Sequence, residues 1–180
     1  MRFIEQIRTR GHLYFLDKVR KDIKRVPQAI NYSRANYVGI LFDASEPGNI
    51  AVVKQYVKRL QNDGKKVEML GFLKNKKQAE GSDFDYFTLS GVSLFHIPDK
   101  EVSAFANKPF DLLISLHTGT ILPLEYISAL SKAKCRVGRY IENKTWCYDM
   151  MVYAGEEKPL SELVKQTDYL LTEINKNATV

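Results

Sequence analysis

FDLLISLHTGTILPLEYISALSKAKCRV, residues 110–137, runs from an apolar strand through a polar loop and a helix to a second apolar strand. Leu112-Leu113-Ile114 carries no polar alternation, as a strand covered on both faces requires. Thr118-Gly119-Thr120 breaks the run. Pro123 sits where a first helical turn tolerates a missing N–H. Strand, crossover helix and a strand beginning at Cys135 make one βαβ unit.

Working outward, the same pattern recurs upstream. Tyr37–Ala44, YVGILFDA, reads as a strand ended by Asp43, and the SEPGN turn follows. A helix then places Ile50, Val53, Val57 and Leu60 on one buried stripe, with Gly64 as its C′ residue. Val67–Phe72 is the returning strand, joined by a right-handed crossover. The polar loop 74–83 is too short for a helical crossover, so an antiparallel or edge strand should follow it. Phe84–Leu89 and Val92–Ile97 read as short extended segments around Ser90-Gly91. Asp99 is the candidate N-cap of a brief helix that turns Val102, Phe105 and Ala106 inward. Beyond Val137, Trp146–Tyr153 reads as a last strand and Leu160–Ile174 as a last helix.

These elements predict an α/β fold: a three-layer Rossmann-like open sheet, mostly parallel, of about five strands. An extra basic amphipathic helix precedes it. The expected organisation is an N-terminal helical segment, 1–33, and one Rossmann-like domain, 36–180. At 180 residues the chain suits one well-buried core. No apolar run approaches the roughly 20 residues that cross a bilayer. Two cysteines without CxxC spacing and no secretory leader pattern point to a reducing cytoplasm.

The net charge of +6 concentrates near the N-terminus. Arg2–Arg25 reads as one helix ended by Pro27, with Ile4, Ile7, Gly11, Phe15, Val19, Ile23 and Val26 as its apolar stripe. Arg8, Arg10, Lys18, Arg20, Lys21, Lys24 and Arg25 fill most of the remainder. Two readings stay open. Either the stripe packs on the sheet or on a second copy, giving a homo-oligomer, while the basic face is solvated. Or that face docks on a protein or an anionic partner, RNA or an acidic membrane surface.

In a doubly wound sheet ligands bind beyond the carboxyl ends of the strands, where connections diverge to opposite faces. That crevice would be lined by Asp43, Ala44, Ser45, Gly48, Asn49, His117, Thr118, Gly119 and Thr120. Backbone N–H groups of 118–120 could meet an anion at the following helix start. The 45–49 loop has neither GxGxxG nor GxxxxGK[ST], so no dinucleotide or P-loop cofactor is expected. Ser115 and His117 share a strand face near Asp43, but no G-x-S-x-G elbow exists to make a nucleophile. His12, His96 and His117 lack metal-ligand spacing. Cys135 and Cys147 read as buried small hydrophobes. Asp149 within an apolar segment needs an arginine or a backbone N–H. Glu156-Glu157 reads as a solvated turn.

VGILFDAS (38–45), KKVEMLGFL (65–73), FDLLISL (110–116) and SALSKAKCRVG (128–138), behind a basic helix, resemble an uncharacterised bacterial domain family. The resemblance spans nearly the whole chain and implies an intracellular protein without an assigned activity. DLLISLHTG with AKCRVG is also similar to the D-L-x-I-D-L-x-G … A-x-x-R-x-G segment of heptosyltransferase-type glycosyltransferases, in their N-terminal half. Ser115 stands where that pattern has an acid, and the second sugar-nucleotide domain is absent from these residues. This second resemblance implies remote ancestry rather than sugar transfer. The expected function is a non-catalytic binding or scaffold domain docking through the basic helix, or else a small-ligand or nucleotide-binding domain using the crevice.

Overall fold

The computed structural model describes residues 2–23, 25–28, 30, 32–75, 82–142, 146–155 and 158–176. Among them six strands form one sheet: β1 (Tyr37–Asp43), β2 (Lys66–Leu73), β3 (Asp85–Thr88), β4 (Leu112–Leu116), β5 (Cys135–Arg139) and β6 (Met150–Val152). Their order is β3-β2-β1-β4-β5-β6, and all five pairings are parallel. β1 and β4 are neighbours at the centre, as the doubly wound reading requires. The expected five strands become six. The strand after loop 74–83 is an edge strand and is parallel.

β4 is buried along its whole length, which explains its unbroken apolar run. On one face α2 (Pro47–Asn62) and α5 (Leu160–Lys176) cover Ile40, Phe42, Leu112 and Ile114 with Val53, Leu60, Leu163 and Leu171. On the other, α4 (Leu122–Leu130) covers Leu41, Leu70 and Leu113 with Leu124 and Ile127. Phe105, Ala106 and Phe110 join that second face. They follow α3 (Lys100–Ser103), whose expected N-cap Asp99 accepts from the Val102 N–H at 2.9 Å. Gly64 has the predicted left-handed conformation, φ 78°.

The segment 92–97 is no strand; an isolated antiparallel bridge joins Val92 to Pro98, and the chain between them turns back on itself. Ser93 N–H donates to the Ile97 carbonyl at 2.8 Å. Phe95 therefore packs on Phe15 instead of entering the sheet. Trp146–Tyr153 contributes only Met150–Val152 as strand, because Asp149 precedes it in a bend tied to the start of β5.

The N-terminal helix, α1, spans Arg2–Asp22 and not 2–25. It lies on α4, where His12 and Leu16 are buried, Leu16 packing with Tyr126 and Ala129. At 1.5 Å per residue α4 is about 14 Å long and α1 about 31 Å, so α4 cannot cover it. Ile4, Ile7 and Val26, assigned to the buried stripe, are exposed. Among the described residues no helix is long and apolar enough to cross a membrane.

Candidate functional site

Phe42 pairs with Leu116, so Asp43 and His117 leave adjacent strands at the same level. From there the chain runs to α2 on one face and to α4 on the other, and the predicted crevice residues divide by what holds them. Asp43 Oδ1 accepts from the Ser45 N–H at 3.0 Å, and Asn49 Nδ2 donates to the Asp43 carbonyl at 3.1 Å. Ser45, buried, accepts the Lys74 N–H on its hydroxyl at 3.1 Å. These three side chains shape the turn after β1 and pin the end of β2 beside it. Gly48 stands in the first turn of α2 with open space where a Cβ would be.

His117 is buried. Its Nδ1 lies 2.7 Å from the Gly119 carbonyl and its Nε2 3.1 Å from the Tyr148 hydroxyl. A carbonyl only accepts, so Nδ1 carries the hydrogen and Nε2 accepts from Tyr148. Burial raises the Tyr148 phenol well above its ordinary range, which keeps that donor protonated. The histidine closes the 117–119 turn. Ser115 Oγ meets Ser128 Oγ at 3.4 Å, while the Asp43 carboxylate is engaged by the Ser45 N–H in the turn after β1. Thr118 is half-buried, while Gly119 and Thr120 are exposed at the rim.

The open space lies just beyond them. A cavity of about 360 Å³ is bounded by Phe72 and Lys74 at the end of β2, by Thr120, Ile121, Leu122 and Pro123 at the start of α4, and by Leu89, His96 and Glu5 of α1. A second cavity, about 370 Å³, shares Leu89 and His96 with it and adds Arg8, Val92, Ser93 and Leu94. α1 holds the common wall in place. His12 Nδ1 donates to the Phe95 carbonyl at 3.0 Å, and a Cβ on Gly11 would stand 2.2 Å from the Phe95 ring. His96 is the non-glycine residue with positive φ, 57°, among those described. Such a conformation costs about 1–3 kcal/mol and persists where surrounding contacts impose it.

Lys74 and Arg8 give this wall positive character, offset by Glu5, which pairs with Arg8 at 3.2 Å. α4 begins without a side-chain cap at Ile121, so its positive dipole end is open there. Sequence reasoning located the rim through Thr120 but missed Lys74, His96, Arg8 as a wall residue and Glu5. The glycine beside His12 was the one local hint, since it marks where another chain segment crosses α1. A third space, about 270 Å³, lies between α2 and α5 around Tyr56, Arg59 and Asp168, away from the strand ends.

The basic residues also separate. Arg8 pairs with Glu5, and Arg20 and Lys21 share Asp17. Arg25 lies beyond α1 and turns inward. With Arg136 it grips Asp149, and the Arg136 N–H adds a bond of 2.7 Å. Burial alone would raise the Asp149 carboxyl, but hydrogen bonds from Arg25 and Arg136 outweigh it and hold the group below the usual range. Arg25 is thus held by the Ala133 and Lys134 carbonyls and by Asp149. Arg10 and Lys18 are exposed and make no ion pair among the described residues. Lys24 and Glu156-Glu157 lie outside the described residues. Cys135 and Cys147 are buried free thiols, and burial pushes Cys135 up to about 11. Among the described residues no three His, Cys, Asp or Glu side chains stand close enough together to hold a metal.

A parallel sheet in the order 3-2-1-4-5-6, with a crevice beside its central switch point, defines a Rossmann-like α/β protein. The chain belongs to the Family of unknown function (DUF6913), which matches residues 12–174. No curated protein matches it.

Proposed function

We propose that the chain is a small-ligand-binding domain whose guest sits in the crevice between α1 and the start of α4. The observation that carries this reading is the 360 Å³ cavity at the carboxyl ends of β2 and β4. Its size falls within the usual range for small-molecule sites. Phe72, Leu89, Ile121 and Leu122 suit an apolar or aromatic body. Lys74, His96 and the uncapped start of α4 suit an anionic group on the same molecule. The expected residues Asp43, Ser45 and Asn49 act by shaping the turn that sets Lys74, and Thr118–Thr120 form the lip. Binding, without a reaction, is the role. The glycosyltransferase-like segment 111–138 contributes ancestry of the layer and no sugar chemistry.

A thermal-shift panel of phosphate- and carboxylate-bearing metabolites, including AMP and inorganic phosphate, tests this. A ligand at a hundredfold excess over its Kd adds about 2.7 kcal/mol, roughly 5–10 °C for a domain of this size. Lys74→Glu and Thr120→Val alter rim side chains and should abolish the shift while leaving the ligand-free Tm in place. Stabilisation that survives both changes, or a panel without any stabilising member, refutes the site.

A further inference from the structure

The outer side of α1 is separate from the crevice. Ile7, Arg10, Tyr14, Lys18 and Lys21 recur at three- and four-residue steps, which places them along one side of the helix. All five are exposed, opposite the side where His12 and Leu16 are buried. Ile7 is 48% exposed and Tyr14 67%. Arg10 and Lys18 make no ion pair among the described residues, and Lys21 shares Asp17 with Arg20.

We infer that this side of α1 docks the protein on an anionic lipid surface. Ile7 and Tyr14 can enter the acyl boundary while the flanking Arg10, Lys18 and Lys21 snorkel to the headgroups. The surrounding charge selects the occupant. A two-fold contact centred on Tyr14 would set Arg10 against the copy's Lys18, so a second copy is repelled. Nucleic acid would use the cations but leave Ile7 in water. Anionic lipid uses both. The docking leaves Lys74 and Thr120 untouched, so it stands or falls independently of the crevice.

The test is co-sedimentation of the whole chain with phosphatidylcholine vesicles, with and without roughly 30 mol % phosphatidylglycerol. Binding should require the anionic lipid and weaken as salt rises. Each basic residue near a surface contributes about fivefold in affinity, so Arg10→Glu with Lys18→Glu should lose on the order of thirtyfold or more. Ile7→Glu with Tyr14→Glu should lose binding as fully, and both pairs should keep the wild-type Tm because the positions are exposed. Equal binding to both vesicle types, no binding to either, or retention in either pair overturns the proposal. So does a dimer in light scattering that Ile7→Glu dissolves, or an RNA gel shift lost with the charges and indifferent to Ile7→Glu.

Discussion

Asp149→Ala removes the shared acceptor of two nearly buried guanidinium groups. Arg25, Arg136 and Asp149 have side chains only 9%, 11% and 13% exposed. The change strands the Arg136 N–H, at about 1–3 kcal/mol for a buried unpaired donor. Breaking a buried pair from one side costs about 3–5 kcal/mol in all. Arg25 keeps the carbonyls of Ala133 and Lys134, and Arg136 keeps that of Ala129, which favours the lower end. The expected loss is therefore about 3 kcal/mol, where an exposed ion pair would give at most about 1 kcal/mol. With a urea dependence of about 2 kcal/mol per molar, the midpoint should fall by about 1.5 M at neutral pH.

The pH dependence has a definite sign. The folded carboxyl titrates below its unfolded value, so the folded state binds fewer protons in that window. Its contribution is complete above the ordinary carboxylate range, near pH 4, and is lost as pH falls through the folded value. Wild type and Asp149→Asn should accordingly converge in stability on acidification. A midpoint shift under about 0.5 M at neutral pH, or a gap that persists in acid, would refute the assignment of Asp149 as the buried tie between the N-terminal segment and β5.

Gly138→Ala puts a Cβ 2.4 Å from the ring of Tyr148, which is buried and held at its hydroxyl by His117. Overpacking of that kind costs about 1–3 kcal/mol and should appear in thermal melts, with Gly48→Ala, in open space, as the near-neutral control. Lys65→Met leaves the Tyr32 and Ala35 carbonyls without the Nζ donor that now serves them at 2.8 and 2.7 Å. A loss of about 2 kcal/mol in urea unfolding is expected; no change would mean that water replaces the amine.

Much of the fold could be read because its signals are local. Leu112–Leu116 announces a doubly covered strand by composition alone, Asp99 and Gly64 mark helix ends by their own backbone needs, and the rim follows from strand order. What could not be read depends on contacts far apart in the chain. Arg25 continues a helical charge pattern, yet its partner Asp149 is 124 residues away. His117 sits at the expected strand end, but Tyr148 and Gly119 occupy it. His96 and Lys74 become walls only because α1 folds over the 89–97 turn, and an aromatic segment that looks extended is diverted onto Gly11 and Phe15. α4, nine residues long, covers only the His12 and Leu16 side of α1, so Ile7 on the opposite side stays exposed, and no feature of α1 itself records which side is covered.

Amide chemical-shift mapping with ¹⁵N-labelled protein and the best stabilising metabolite from the thermal panel measures the guest's position itself. Saturable shifts should cluster at Lys74, His96, Thr120 and Leu122 and vanish in Lys74→Glu. Shifts centred on Tyr56, Arg59 and Asp168, with the strand ends unmoved, would contradict the crevice as the binding place.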